Sequence, residues 1–233
     1  GSSHPEGDDT GDASSLPAQK EIAGALWSMA MFNANNQQAI AKAGGIPKLV
    51  ALLAWDPAVH RNAAGALWSL ADDTTNALLI AEQNGIKPLV DLLHIGGGHA
   101  QDAAAGALHG LAALEENRTG IAKAGGIQPL VDIFNGGSQA AVEEASGALT
   151  TLVSNNPENR REVASRLVEM LQREDLHDPL EVQECVISLI HNLCLDSDMR
   201  EPIAKAGGIP ELVRQLEGGD SSTQSHAAKA LSQ

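Results

Sequence analysis

Tyrosine is absent from this 233-residue chain, and two phenylalanines and three tryptophans are its whole aromatic complement, 2% of the residues. A buried core drawn from its 43% hydrophobic share must therefore be Leu, Ile, Val and Ala, which suits closely packed helices. Basic residues are scarce: 15 Lys and Arg face 30 Asp and Glu, a formal net charge of −15. Nucleic acid, whose binding needs a basic surface to displace counterions, is excluded as a partner, and so is an anionic membrane surface. No apolar run approaches the roughly 18 residues of a spanning helix, so no membrane insertion is expected. Gly1-Ser2-Ser3 lacks the charged-then-apolar order of a secretory signal. Only Cys185 and Cys194 carry thiols. On one helix their separation is roughly 13 Å of rise, too far for a disulfide. Nothing points to an oxidising compartment; the expected location is the cytoplasm, with the nucleus as a second possibility.

What the chain has in abundance is repetition. Gly65-Ala66-Leu67-Trp68 has near-copies at Gly24-Ala25-Leu26-Trp27, Gly106-Ala107-Leu108-His109 and Gly147-Ala148-Leu149-Thr150, then at Ser188-Leu189-Ile190-His191 and Lys229-Ala230-Leu231. The first residues of these copies, 24, 65, 106, 147, 188 and 229, keep a 41-residue period. A fixed period of this length marks a solenoid of stacked units, each touching only its neighbours.

Read in order, residues 1–15 are small, polar and acidic and are expected to be disordered or a loop. Leu16-Pro17 opens a helix to about Phe32. A short helix follows to Ala43, stopped by Gly44-Gly45, since glycine takes left-handed geometry without penalty. Residues 47–54 form a second helix, with Pro47 in its tolerated first turn. Asp56-Pro57 caps a third, longer helix through Ala71. The same three-helix paragraph recurs, broken at Asn84-Gly85, Gly96-Gly97-Gly98, Gly125-Gly126 and Gly136-Gly137. Residues 159–171 lack the Gly-Gly break, so their two helices fuse or bend; the loop 173–179 restores the period. The chain starts and stops on a third helix without a polar cap, and reads as a piece of a longer protein.

A short helix, a glycine-broken turn, a second helix and a long third helix in about 41 residues resemble the armadillo repeat. Ile-Ala-Lys-Ala-Gly-Gly-Ile-Pro at 40–47 and 203–210, and Ile-Ala-Lys-Ala-Gly-Gly-Ile-Gln at 121–128, carry the resemblance, which spans 16–233. It implies an all-α, right-handed superhelical solenoid of three-helix repeats, with one third helix, five repeats (one irregular) and the start of another. In that family the third helices line a concave groove where extended peptides bind.

The groove row implied by this alignment has several lines. Peptide-binding members such as importin-α and β-catenin place an asparagine at the positions held here by Ser28, Ser69, Gly110, Thr151 and Asn192; only Asn192 matches. Importin-α adds a tryptophan where this chain has Gly24, Gly65, Gly106, Gly147 and Ser188. The glycines admit two readings, tight packing between repeats or close approach of a ligand; a helix-interior glycine costs about 0.5–1 kcal/mol relative to alanine, so four in phase call for a reason. One turn earlier stand Lys20, Arg61, Asp102, Glu143 and Glu184, a row that changes sign halfway. Glu144 and Glu181 add to its acidic half. At the groove edge lie Trp27, Trp68, His109, Thr150 and His191. The tryptophans either fill seams between repeats or anchor an apolar side chain of a partner.

No catalytic constellation rises above background. His191 and Cys194 are three apart, without the second pair a structural zinc site needs. Gly96-Gly97-Gly98 follows no strand and precedes no Lys-Ser/Thr, so it is not a phosphate cradle. The expectation is a non-enzymatic scaffold, without metal or cofactor, that binds a protein partner through an extended segment or helix in the groove. The alternatives are a cargo adaptor of the nuclear-import kind, against which the missing Trp/Asn ladder speaks, and a structural spacer in a larger protein. Oligomeric state stays open.

Overall fold

Most helices begin where a short polar side chain offers itself to a free backbone N–H. In the computed structural model, which describes residues 16–54 and 56–233, Asn33, Asp56, Asp73, Ser138, Asn156, Asp178, Asp196 and Asp220 all cap helix N-termini in this way. The acidic segment 1–15 lies outside the described residues. The described residues form an all-α solenoid. Helix α1 (Leu16–Ala30) stands alone and ends two residues before Phe32, whose φ of 53° turns the chain. Then come α2 (Ala34–Lys42), α3 (Gly45–Leu52) and α4 (Pro57–Leu70); α5 (Thr74–Glu82), α6 (Ile86–Ile95) and α7 (His99–Ala112); and α8 (Glu115–Lys123), α9 (Ile127–Asp132) and α10 (Gln139–Leu152). The irregular unit has two helices, α11 (Pro157–Leu171) and α12 (Pro179–Cys194). The last has α13 (Ser197–Lys205), α14 (Gly208–Gly218) and α15 (Ser221–Leu231). The long third helices α4, α7, α10, α12 and α15 begin at residues 57, 99, 139, 179 and 221.

The Gly-Gly breaks divide their work. Gly44 takes φ +73°, open only to glycine and a few polar residues, and in the second repeat Asn84 does the same job at φ 59°. Gly45 is needed for space: a Cβ there would sit 2.9 Å from the Ile40 carbonyl oxygen. Where residues 159–171 lack this pair, the short first and second helices fuse into one continuous helix, α11, which packs against both α9 and α13.

Leu67, Leu70, Leu108, Leu111, Leu149 and Leu152 are buried completely, and each contributes about 1.5–3 kcal/mol by leaving water. Ala63, Ala66, Ala104 and Ala107 are equally buried and keep third helices close. Thus α1 packs on α4, α4 on α7, α7 on α10, and α12 on α15, while α10 and α12 make no comparable contact. Buried amides tie three of the helices that open a unit, α2, α8 and α11, to the third helix before them. Gln37 donates to the Ala30 carbonyl (3.1 Å), Asn117 to Leu111 (3.1 Å) and Asn159 to Leu152 (2.9 Å), satisfying acceptors that a helix end leaves free. Arg118 and Arg160 act as clips on the same layer. Arg118 donates to the Ala112 (2.9 Å) and Ser154 (2.7 Å) carbonyls, Arg160 to Val153 (3.0 Å) and to the Asp198 carboxylate (2.7 Å).

Candidate partner-binding face

The third helices present one side to the layer of first and second helices and leave another free, and the repeating residues sort themselves between these sides. The glycines belong to the seams. A Cβ on Gly65 would lie 2.6 Å from two ring carbons of Trp27, inside any real contact distance. Gly106 lies in the same way beneath the Trp68 ring, and Gly147 beneath the His109 imidazole. Each ring therefore belongs to one repeat and lies across the glycine of the next. Of the two readings of the glycines, close approach between repeats is what the structure displays; Gly65, Gly106 and Ser69 are buried, out of reach of a partner. Gly24, which has no ring above it among the described residues, faces the Asn62 side chain, and that amide donates to the Lys20 carbonyl at 2.9 Å.

The charged row lies beside this ladder and reaches solvent throughout: Lys20, Arg61 and Glu143 are exposed, Asp102 and Glu184 half-buried. Its members also have intramolecular work. The Arg61 guanidinium carbon stands 5.8 Å from the Trp27 ring centroid, a cation–π contact that holds the ring on its glycine. Asp102 accepts from the Ser138 hydroxyl at 2.6 Å and lies 3.2 Å from His99 Nδ1. Glu143 accepts from Gln139 at 2.9 Å, and Glu184 from the Ser222 hydroxyl. His109 is fixed by Glu144, Nδ1 to carboxylate 2.9 Å. Burial and the Glu144 charge together hold the Asp72 carboxyl above its usual range.

Ser28 and Thr151 turn their hydroxyls back to the Gly24 and Gly147 carbonyls, at 3.0 and 2.8 Å, while Asn192 is exposed. Gly110 packs against Ala71, with a Cβ there 3.0 Å from the alanine methyl. His191 meets His226 across the last seam, ring centroids 6.1 Å apart; burial first, then His226 and Lys229, keep its imidazole below the ordinary range.

The ladder has one interruption. Thr150 stands where a ring would be, bonds the Ser146 carbonyl at 2.8 Å, and faces a unit in which Ser188 replaces glycine. Between α10 and α12 a cleft of about 380 Å³ opens, lined by Phe134, Val142, Glu143, Ser146, Glu184, Cys185, Ser188, Leu189, Asn192 and His226, among others. Glu143, Glu184, Ser188 and Asn192 were legible as row members. Phe134, Val142, Ser146, Cys185 and His226 were not, because only the failed packing of α10 on α12 brings them together. A larger hollow of about 600 Å³ between α11 and α13 mixes both signs, with Arg160 paired to Asp198 (2.7 Å) and Lys205 to Glu201 (2.6 Å). No helix among the described residues is long and apolar enough to cross a membrane.

Comparison with known proteins accords with this architecture. The family model for the Armadillo/beta-catenin-like repeat matches residues 33–72 and 196–233, the first and last complete three-helix units. No curated protein matches the chain. Among solved structures, an engineered protein is 30% identical with a TM-score of 0.71, the alignment covering 96% of this chain and 92% of that one. A second engineered protein is 27% identical, with a TM-score of 0.70 and coverage of 97% and 93%. A designed armadillo repeat protein in complex with the peptide (KR)4 is 23% identical, with a TM-score of 0.69 and coverage of 96% and 95%.

Proposed function

The chain belongs to the armadillo-repeat family, a non-enzymatic scaffold class, and we propose that its third-helix layer holds an extended segment of a partner protein. The observation that carries this reading is the row Lys20, Arg61, Asp102, Glu143 and Glu184, one residue per third helix, all reaching solvent on consecutive repeats. An extended chain bridges successive repeats, so a ladder of charges can address every few of its residues. The first two rungs are basic and the last three acidic. The partner's segment accordingly runs from acidic or apolar residues over the α1–α4 end to basic residues over α10–α12. The glycines and tryptophans support this face from beneath instead of touching the ligand. A designed relative of the same fold in complex with (KR)4 is in keeping with a basic segment over the acidic half.

The test compares the native chain with a variant carrying Arg61→Glu, Glu143→Lys and Glu184→Lys, matched for helical content by circular dichroism. Both are used to capture partners from native extract, and each captured partner is then titrated as a purified protein. Loss of affinity by the variant alone places recognition on the row. Equal affinity for every partner refutes it and moves recognition to the first- and second-helix surface.

A further inference from the structure

We propose that the cleft between α10 and α12 receives a single arginine side chain from the partner's segment, inserted where the ring ladder is interrupted. The proposal rests on the partner-holding role given above to the third-helix layer, and adds the chemistry of one rung.

Three seams of the layer are filled alike, by the ring of one repeat lying over the glycine of the next: Trp27 on Gly65, Trp68 on Gly106, His109 on Gly147. At the fourth seam both halves of the device are missing. Thr150 is too short and is turned back on its own helix, and Ser188 carries the Cβ that the four preceding units lack. The result is a cleft of about 380 Å³, open to solvent, at the seam where the three preceding ones hold a ring on a glycine, and it is of a size to take a side chain from outside.

The lining selects the group. Val142, Phe134 and Leu189 offer apolar surface to a stem, and Glu143 on α10 and Glu184 on α12 give each wall one carboxylate. A long aliphatic side chain with a cationic end meets both demands. Arginine meets them better than lysine. Its guanidinium is flat, like the rings at the other seams, is weakly hydrated, and can donate to two carboxylates at once. The Cys185 thiol, raised above its usual range by burial first, also feels the negative charges of Glu181 and Glu184. The same carboxylates disfavour an acidic side chain or a phosphate.

The experiment is a fluorescence-anisotropy titration of the full chain in about 0.15 M salt, where diffuse attraction is screened. The probes are three labelled eight-residue peptides alternating serine with arginine, lysine or citrulline, the last matching arginine in shape without its charge. Thr150→Trp with Ser188→Gly restores the ring-on-glycine seam and closes the cleft; Glu184→Gln removes a charge without changing volume; Glu201→Lys, on the exposed side of α13, is the charge control. The expected result is binding of the arginine peptide, with citrulline and the ring-restored variant each weaker by about tenfold or more, Glu184→Gln weaker by about fivefold, and Glu201→Lys unchanged. Undiminished binding by the ring-restored variant, equal binding of citrulline, or no binding of the arginine peptide overturns the proposal. Should the ring-restored variant fail to fold, the Glu184→Gln and citrulline comparisons decide alone. Failure here is separable from failure of the parent reading. A partner lost by the triple row variant but kept by the ring-restored chain leaves the face intact and removes only the arginine pocket.

Discussion

Gly65→Ala reverses the usual sign of a glycine-to-alanine change in a helix. Such a substitution in a helix interior normally stabilises by about 0.8–1 kcal/mol. Here the new methyl would stand 2.6 Å from two ring carbons of Trp27 and 2.8 Å from a third, so the ring must leave its seat. The indole cannot yield as a flexible chain end would, since Arg61 lies over its face and α1 and α4 are packed together. Overpacking of this kind costs about 1–3 kcal/mol. The net expectation is a loss of up to about 2 kcal/mol, or up to roughly 8 °C in melting temperature for a chain of this size. Gly120→Ala is the internal comparison, because its methyl meets only the flexible Cδ1 end of Ile86, at 3.2 Å. It should be neutral or stabilising by up to about 1 kcal/mol. In a Trp27→Ala background Gly65→Ala should regain the favourable sign, giving a coupling of about 2 kcal/mol in the double-mutant cycle. Urea unfolding followed by far-UV circular dichroism gives the midpoints. Hydrogen exchange of the α4 amides locates the effect, since repeats need not unfold all together. A stabilising Gly65→Ala in the native background, or a coupling near zero, would refute the account of the seams.

Other consequences can be tested more briefly. Asn159→Ala removes donors to the Leu152 and Arg118 carbonyls, 2.9 and 3.3 Å away, and should cost about 1–3 kcal/mol, with faster exchange at the end of α10. Asp73 and Asp220 have carboxyls held below the usual carboxylate range, Asp73 chiefly by the Asn76 N–H and Asp220 by the Thr223 N–H. Their folded pKa values lie below the unfolded ones, so this stability is complete above the unfolded value and is lost as pH falls through the folded one. Asp220→Asn, which keeps a cap, should therefore flatten the acid limb of a melting-temperature profile below about pH 4. Asp72 has the opposite sign: its raised carboxyl favours folding at low pH and weakens it as pH climbs through the folded pKa. Asp72→Asn should raise the melting temperature slightly at pH 7 and leave it unchanged at pH 3. Cys185, raised by burial and by Glu181 and Glu184, should react more slowly with iodoacetamide at pH 8 than an unstructured thiol, and faster after Glu184→Gln.

The sequence makes the architecture plain because its punctuation is chemical and local. Gly44-Gly45 and Gly207-Gly208 mark turns that few other residues could make, and Asp56-Pro57 marks a helix start, all within a few positions. The fused helix α11 is legible for the same reason, by the lack of a break. The face is less legible. That Trp27 rests on Gly65, that Ser138 bonds Asp102 and that Ser222 bonds Glu184 are relations across 36 to 38 residues, set by the rotation of one helix on the next. A 41-residue period supplies the register of those helices but not which way each side chain falls between them. The buried amides of Gln37, Asn117 and Asn159 recur nearly in phase, yet as isolated polar residues in short helices they resemble surface positions until the carbonyls they serve are known. The cleft is hidden most deeply, since it arises from contacts that are missing.

The interrupted seam also bears on how the molecule deforms. Three of its joints are filled by rings in the third-helix layer, and that between α7 and α10 is fastened on the opposite side as well, by the Arg118 clip. Between α10 and α12 no ring fills the third-helix layer, and only the opposite side is fastened, through α11 and the Arg160 contacts with Val153 and Asp198. A joint held along one edge behaves as the spine of a book. Under tension the chain will yield there first, and bending about that spine changes the spacing of Glu143 and Glu184 while the rungs on either side keep theirs.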